Sequence, residues 1–318
     1  VGGWHVIASD GERSADERFV ARATELRERL VNQLNVNEEL LRGAAGLFAA
    51  SKSVERDEWR AYVEALDLPR QQPGIQGIGY AERLHPDELP AHEARVRAEG
   101  HPDYALRPAG ARAEYTAIVF IEPFDERNRR AFGFDMFSEP VRRAAMERAR
   151  DTGRPALSGR VRLVQEAATD VQSGVLLYLP VYRRGALLDT PAQRRDALQG
   201  YVYSPIRMGN MAAAALGAVP GAEGLAVRLY DGGRADAADR MVGGEADAAP
   251  GARVRHESFD TAGRRWTLEV EALPRFEAGV DRQKAQIVLI AGVGISLLLF
   301  ALVRSLTMTR ERAELLAH

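Results

Sequence analysis

EYTAIVFIEPFDERNRRAFGFDMFSEPVRRAAMERARDTGRPAL, Glu114 to Leu157, is the stretch from which the fold of this chain is read. Tyr115 to Ile121 is an unbroken apolar run of strand length, whereas the last third sets Arg and Glu against Ala at helical spacing. One strand, one loop and one helix are therefore expected within about forty residues. Asp135 lies in the loop among Phe132, Phe134, Met136 and Phe137. A carboxyl group in such company is costly to bury unless it is hydrogen-bonded. Two readings stand side by side: Asp135 caps the following helix, or it meets a ligand in a recognition pocket.

Downstream, the helix Glu139 to Arg150 should stop at Thr152, with Gly153 as its C-cap. Two strands follow, Ala156 to Gln165 and Gly174 to Tyr182. The second is apolar almost throughout, which suits a central strand, although Pro180 marks an end or an edge. Upstream, Ile75 to Leu84 reads as a strand loosened by Gly77 and Gly79. Their order, GxxGxG with no helix opening behind it, is not a dinucleotide fingerprint and points instead to close backbone approach or a bulge. A polar helix, Pro86 to Glu99, and a strand around Tyr104 to Pro108 lead into the opening stretch. Before them, Ser53 should cap a short helix carrying Trp59, Tyr62, Val63 and Leu66 on one face, which Pro69 to Gly74 ends.

Between Ser14 and Ser51 the residues Phe19, Ala23, Leu26, Leu30, Leu34, Leu41, Ala45 and Phe48 recur at helical spacing, giving a helix roughly 55 Å long at 1.5 Å per residue. It either pairs with its copy in a dimer or lies along its own domain. Asn35, Asn37 and Glu38 interrupt the seam, which favours a partly self-packed stalk over a perfect coiled coil. Antiparallel strands with helices on one face make an α+β domain, with a PAS-like sheet as its specific form.

Behind a polar linker, Arg183 to Asp196, a second and smaller unit is expected. It comprises a strand Gln199 to Ile206, a helix Met208 to Leu216, a strand Leu225 to Tyr230, a low-complexity loop Asp231 to Gly251, and a hairpin Arg253 to Asp260 with Arg265 to Leu273. With few ionisable residues in apolar company, it reads as a structural adaptor. Ile287 to Val303, IVLIAGVGISLLLFALV, carries no charge and approaches a bilayer span of about 20 residues. Arg304, Arg310 and Arg312 behind it place the C-terminal tail in the cytoplasm by the positive-inside rule, and residues before about 285 outside. Val1 to Ile7, with Trp4 at the interface, fits the end of a preceding span. The expected division is therefore 1–13 juxtamembrane, 14–68 stalk and second helix, 69–183 distal unit, 184–280 linker and proximal unit, 281–306 transmembrane helix and 307–318 cytoplasmic helix.

Much chemistry is excluded. With no cysteine there is no disulfide, thiolate metal site or cysteine nucleophile. The net charge of -2 gives no general pull toward nucleic acid. The helix with Arg142, Arg143, Arg148 and Arg150 also carries Glu139 and Glu147, as a solvated face does. His5, His85, His92, His101, His256 and His318 lack any metal-ligand spacing. There is neither a GxxxxGKS/T loop nor a GxSxG elbow. Glu122 and Asp125, flanking Pro123, suit turn and salt-bridge chemistry better than paired acid and base work. No enzymatic activity and no cofactor are expected of these residues.

GIQGIGYAERL, EYTAIVFIEP, GFDMFSEPVRRAAMERARDTG and GVLLYLPVY resemble, in order and spacing, the CHASE family of extracellular sensor domains over roughly Pro73 to Arg183. The resemblance implies a stalk helix, two tandem PAS-like units and a membrane helix, in front of a histidine kinase or a diguanylate cyclase and phosphodiesterase. It implies a homodimer in a bacterial inner membrane, with a periplasmic distal unit that binds a small molecule. In the plant cytokinin receptors of this family an aspartate holds an adenine-type ligand, and Asp135 aligns with it; Thr152 and Leu157 align with pocket residues. Phe120, Phe134, Tyr115 and Tyr178 complete the candidate set. The segment EPFDERNRR departs from the plant pattern and leaves the ligand open. A ligand-free structural or dimerisation ectodomain is the alternative, in which the aromatics of the opening stretch are only core; Ser138 could cap the helix and leave Asp135 free.

Overall fold

The computed structural model describes residues 2–166, 171–220, 222–244, 249–276, 290–301 and 304, with side chains from residue 13 onward. Apolar residues at every third or fourth position draw the first helix, α1 (Gly2–Ala50), onto the rest of the chain. Phe19, Ala23, Leu26, Leu30, Leu34, Leu41 and Ala44 are its buried stripe. The stripe touches strands of both sheets described below, so the helix lies along its own domain.

The chain continues through α2 (Arg56–Ala65), α3 (Leu68–Gln71), β1 (Ile78–Leu84), α4 (Leu89–Ala98), β2 (Tyr115–Glu122), α5 (Glu126–Arg129), α6 (Pro140–Thr152), β3 (Ala156–Leu157), β4 (Val161–Arg162), β5 (Ser173–Tyr182), α7 (Pro191–Ala197) and β6 (Leu198–Arg207). Next come α8 (Met208–Gly217), β7 (Leu225–Tyr230), β8 (Arg240–Val242), β9 (Val254–Thr261) and β10 (Arg264–Ala272). Two antiparallel sheets result, ordered β2-β1-β6-β5-β3 with β4 also on β5, and β8-β7-β10-β9. The architecture is α+β with a long N-terminal helix.

Several expectations change. Gln199 to Ile206, assigned to the smaller unit, belongs to β6, which pairs with β1 and β5 in the centre of the larger sheet. Strand pairing is non-local, and the polar segment before β6, read as a linker but holding α7, hides this partnership. The segment Tyr104 to Pro108 forms only one bridge, Arg107 with Phe134. Pro102 and Pro108 bracket it, and proline cannot donate to a ladder. Ala156 to Gln165 splits into β3 and β4, because at the break the Ser158 hydroxyl accepts from Leu176 N at 2.9 Å. Glu55, not Ser53, precedes α2, and its N–H donates to Glu58 Oε2 at 3.0 Å. Glu139, not Ser138, caps α6, since its longer side chain reaches both Val141 N and Arg142 N. Gly153 ends α6 in the left-handed region at φ 69°, as expected. Pro180 lies inside β5 but past the short β3, where β5 has a ladder neighbour only in β6.

Each face of the larger sheet buries its own core. Toward α1 lie Tyr80, Tyr115, Ala117, Val119, Phe120, Leu157, Leu177 and Val202. Toward α6 lie Ile118, Ile121, Met136, Phe137, Met146, Tyr178, Tyr201 and Tyr203. Toward the centre of the α6 side β1 offers the small residues Gly79 and Ala81, with Arg83 at its end reaching Glu114 and Arg195 O. A Cβ on Gly79 would stand 2.5 Å from the Tyr203 ring, so the glycine is required by close approach.

The smaller unit corrects one further reading. Arg228 is buried beside Glu269 and Glu271, so this unit does carry ionisable residues in its interior. Among the described residues no helix is long and apolar enough to cross a membrane. The stretch Ile287 to Val303 lies partly outside the described residues; residues 290–301 are helical, with Ile290 and Leu298 exposed. The side chain of Trp4 and the segment 305–318 also lie outside them.

Candidate ligand-binding site

Asp135 sits where the chain runs along the outer edge of β2, bridged to Ala117, and it is fully buried. Its Oδ1 accepts from Thr116 N at 2.9 Å and from Phe137 N at 3.1 Å, so it caps the short 3-10 turn Met136–Ser138. Thr116 Oγ1 lies between them and accepts from Phe137 N at 3.0 Å. Oδ2 makes no hydrogen bond and faces only the Arg112 guanidinium, Nη1 at 3.4 Å. Arg112 is held over this spot by the carbonyls of Pro108 and Gly110. Burial pushes the Asp135 pKa up, against the pull of the Thr116 N–H and Arg112. Asp135 thus caps this 3-10 turn and not α6, which Glu139 caps, and the turn consumes one carboxyl oxygen of two.

The second feature is a cluster of tyrosines on the α6 face. Tyr178 and Tyr203 pair directly across β5 and β6, with ring centroids 6.2 Å apart, and Tyr201 stands at the same distance from Tyr178. All three are buried, and none of their hydroxyls has a hydrogen-bond partner. A buried hydroxyl without a partner costs about 1–3 kcal/mol. Burial raises all three phenol pKa values, so each stays a neutral O–H donor. Because the Tyr203 hydroxyl lies over Gly79, it projects across β1 toward β2. Met136, Phe137, Ala145 and Met146 roof the face. Arg142 of α6 is buried, donates to Glu139 and to Arg162 O, and lies 5.3 Å over the Phe134 ring.

Of the seven residues expected to form one pocket, six divide between the two faces and one lies on neither. Asp135, Phe134 and Tyr178 are on the α6 side. Phe120, Leu157 and Tyr115 are in the core toward α1. A bulge puts Phe120 there: Tyr80 pairs with Phe120 and Ala81 with Ile118, leaving Val119 extra and switching the alternation. Thr152 is exposed, its hydroxyl donating to Arg148 O at 2.7 Å in its own helix. Tyr201 and Tyr203 were missed by sequence reasoning, though YVY at Tyr201 to Tyr203 puts two tyrosines on one strand face.

Glu122 and Asp125 do what their turn suggests. Glu122 accepts from Phe124 N and pairs with Arg60, while Asp125 caps α5. No group of three or more His, Cys, Asp or Glu able to hold a metal occurs among the described residues.

The α6 end of this unit is joined to the smaller one. Arg148 donates to Gly263 O at 2.8 Å and Leu157 N to Ala262 O at 3.0 Å, at the tip of the β9–β10 hairpin. Asp231, after β7, takes Arg160 N at 3.0 Å and Arg264 Nε at 2.6 Å.

A family model described as CHASE domain matches residues 52–242. Among solved structures the chain is similar to an extracellular ligand binding receptor from Desulfohalobium retbaense DSM5692, with TM-score 0.50, 12% identity and 80% of this chain covered. This chain spans only 40% of that receptor's length. It is also similar to the periplasmic sensory domain of the Campylobacter jejuni chemoreceptor Tlp1, with TM-score 0.46, 9% identity, and 81% and 93% of the two chains covered. At such identities the likeness concerns the fold alone. No curated protein matches the sequence.

Proposed function

This chain belongs to the CHASE domain family, and from that premise we propose that it is the extracytoplasmic, ligand-sensing part of a bacterial membrane receptor rather than an enzyme. The observation that carries the reading is the α6 face of the larger sheet, where three buried tyrosine hydroxyls and Asp135 Oδ2 lack hydrogen-bond partners. A small planar molecule bearing both an N–H donor and acceptor atoms satisfies both kinds of group, with Phe134, Phe137 and Met136 against its faces. Adenine derivatives are one such class.

The ligand acts by favouring one of two positions of α6. Arg148 and Leu157 link that helix and β3 to the hairpin tip, so its movement reaches β9 and β10. From there the chain leads to the apolar stretch Ile287 to Val303, which anchors it in the inner membrane. The receptor works as a homodimer, and its output module is a histidine kinase or a diguanylate cyclase and phosphodiesterase.

Calorimetry with a panel of adenine derivatives tests the site on the full chain. Affinity should fall about tenfold, one hydrogen bond to a charged group, in Asp135→Asn and similarly in Tyr203→Phe. Equal affinity in both variants and wild type removes this face from the mechanism.

A further inference from the structure

A separate cavity of about 320 Å³ lies on the opposite side of the same sheet, where α1 ends and the chain turns into α2. Its apolar wall is aromatic. Phe48 of α1 stacks on Tyr80 at 4.2 Å and 30°, and Phe120 stands 6.1 Å from Tyr80. Its rim is basic, formed by Lys52, Arg95, Arg183 and Arg184, with Glu82 as the one acid. Glu82 is already engaged by Arg95 at 2.5 Å and His92 at 3.0 Å, and Arg183 pairs with Asp196. Lys52 and Arg184 have no acidic partner among the described residues. They line the cavity with two uncompensated positive charges beside stacked rings.

We propose that this cavity is a second binding site, selective for a small aromatic carboxylate whose ring lies on Phe48 and Tyr80 and whose anion meets Lys52 and Arg184. The size supports the class. Ligand sites span about 300–1,000 Å³, and a cavity at the lower limit takes one ring or two fused rings. Stacking rewards a planar ring, and a guanidinium matches a carboxylate with two parallel N–H groups. Lys52 also lies just past the end of α1, where a cation complements the last carbonyls, so it is partly structural. That role explains one cation and leaves Arg184 unaccounted for. An occupant here would touch the end of the helix that packs on both sheets. The proposal does not depend on the α6 face, because the two sites share no residue.

The test is isothermal titration of the full chain with naphthalene-2-carboxylate and with its neutral isostere, naphthalene-2-carboxamide. The carboxylate should bind saturably, at least about tenfold more tightly than the amide. It should weaken about tenfold or more in the Lys52→Ala/Arg184→Ala double variant, and also in Phe48→Leu. Lys52 and Arg184 are exposed, so their removal leaves the core intact. Arg154→Ala/Arg234→Ala, which removes the same charge elsewhere, should bind as wild type does. The proposal is overturned by any of three results: no saturable binding, equal affinity for acid and amide, or equal loss in both double variants.

Discussion

The two sheets pack one face against α1 and differ in what the other face buries. In the smaller sheet the outward face of β7 and β10 buries charge, and the chain pairs it with opposite charge, leaving only Nε of the Arg228 nitrogens without a partner. Arg228 donates to Glu269 and Glu271 at 2.8 Å each, Glu271 also accepts from Ala249 N, and Glu269 meets His256 at 2.9 Å. In the larger sheet the outward face also buries a paired charge, Arg142 with Glu139, but beside it leaves three neutral tyrosine hydroxyls unpartnered. A paired network is worth most to folding when every member stays, because removing one member strands the rest. Unpartnered groups cost stability and repay it only when something binds. On the proposed function, the smaller sheet is the fixed half of the molecule and the larger the responsive half.

The largest expected effect breaks the fixed half. Arg228→Met leaves Glu269 and Glu271 buried without their cation and should destabilise by about 3–5 kcal/mol, read as a lower urea midpoint at unchanged slope. A loss below about 1 kcal/mol would mean that water already reaches the network, and the contrast between the sheets would fail.

Next comes the packing that holds the tyrosines in place. Gly79→Ala sets a methyl group 2.5 Å from the Tyr203 ring and should cost about 1–3 kcal/mol by overpacking. The double variant Gly79→Ala/Tyr203→Ala should recover part of the overpacking cost relative to the sum of the two singles, which a double-mutant cycle measures. Strict additivity would show that the ring moves aside freely.

The faces should also differ in the sign of their pH dependence. Burial raises Asp135 above its ordinary 3.8, so the folded state holds that proton more tightly than the unfolded chain. Its contribution is therefore favourable to folding at low pH and is lost as pH rises through the raised folded value. Glu271 is lowered from 4.5, first by the Ala249 N–H; desolvation opposes this, and Arg228 adds to it. Its contribution is present above 4.5 and disappears as pH falls through the folded value. Urea unfolding between about pH 3 and 7 should then give difference curves against Asp135→Asn and Glu271→Gln of opposite slope. Parallel slopes would contradict the assignment of either carboxyl.

What the sequence disclosed follows the range of the interactions involved. Local periodicity was enough for β2, α6, β5, the β9–β10 hairpin and α1 from Ser14 onward, since spacing alone sets their faces, although α1 begins at Gly2 and takes in residues expected to be juxtamembrane. The Gly153 cap followed from its freedom at positive φ. The place of β6 was not legible, because it depends on pairing with β1, more than a hundred positions away in sequence. The face of Phe120 was hidden by the bulge at Val119, which no residue type announces. Asp135 could be read only as an even choice between cap and ligand contact, and the structure assigns one oxygen to the cap. The buried pairing of Arg228 had a signal that was passed over: Glu269 and Glu271 alternate with apolar residues, facing a strand that carries one arginine.

The smallest effect is the most telling. Tyr178→Phe and Tyr203→Phe each delete a buried hydroxyl that has no partner, so neither loses a hydrogen bond on unliganded folding. Each should leave stability unchanged or raise it by up to about 1 kcal/mol, since the desolvation cost of the hydroxyl disappears. The same substitutions should weaken the adenine-type ligand if the α6 face is the sensor, so stability and affinity move in opposite directions. A purely structural core predicts that they move together. A loss of more than about 1 kcal/mol in the unliganded protein would show that the hydroxyls are already satisfied. The larger sheet would then be as fixed as the smaller one, and the responsive part of the molecule would have to be sought on its other face.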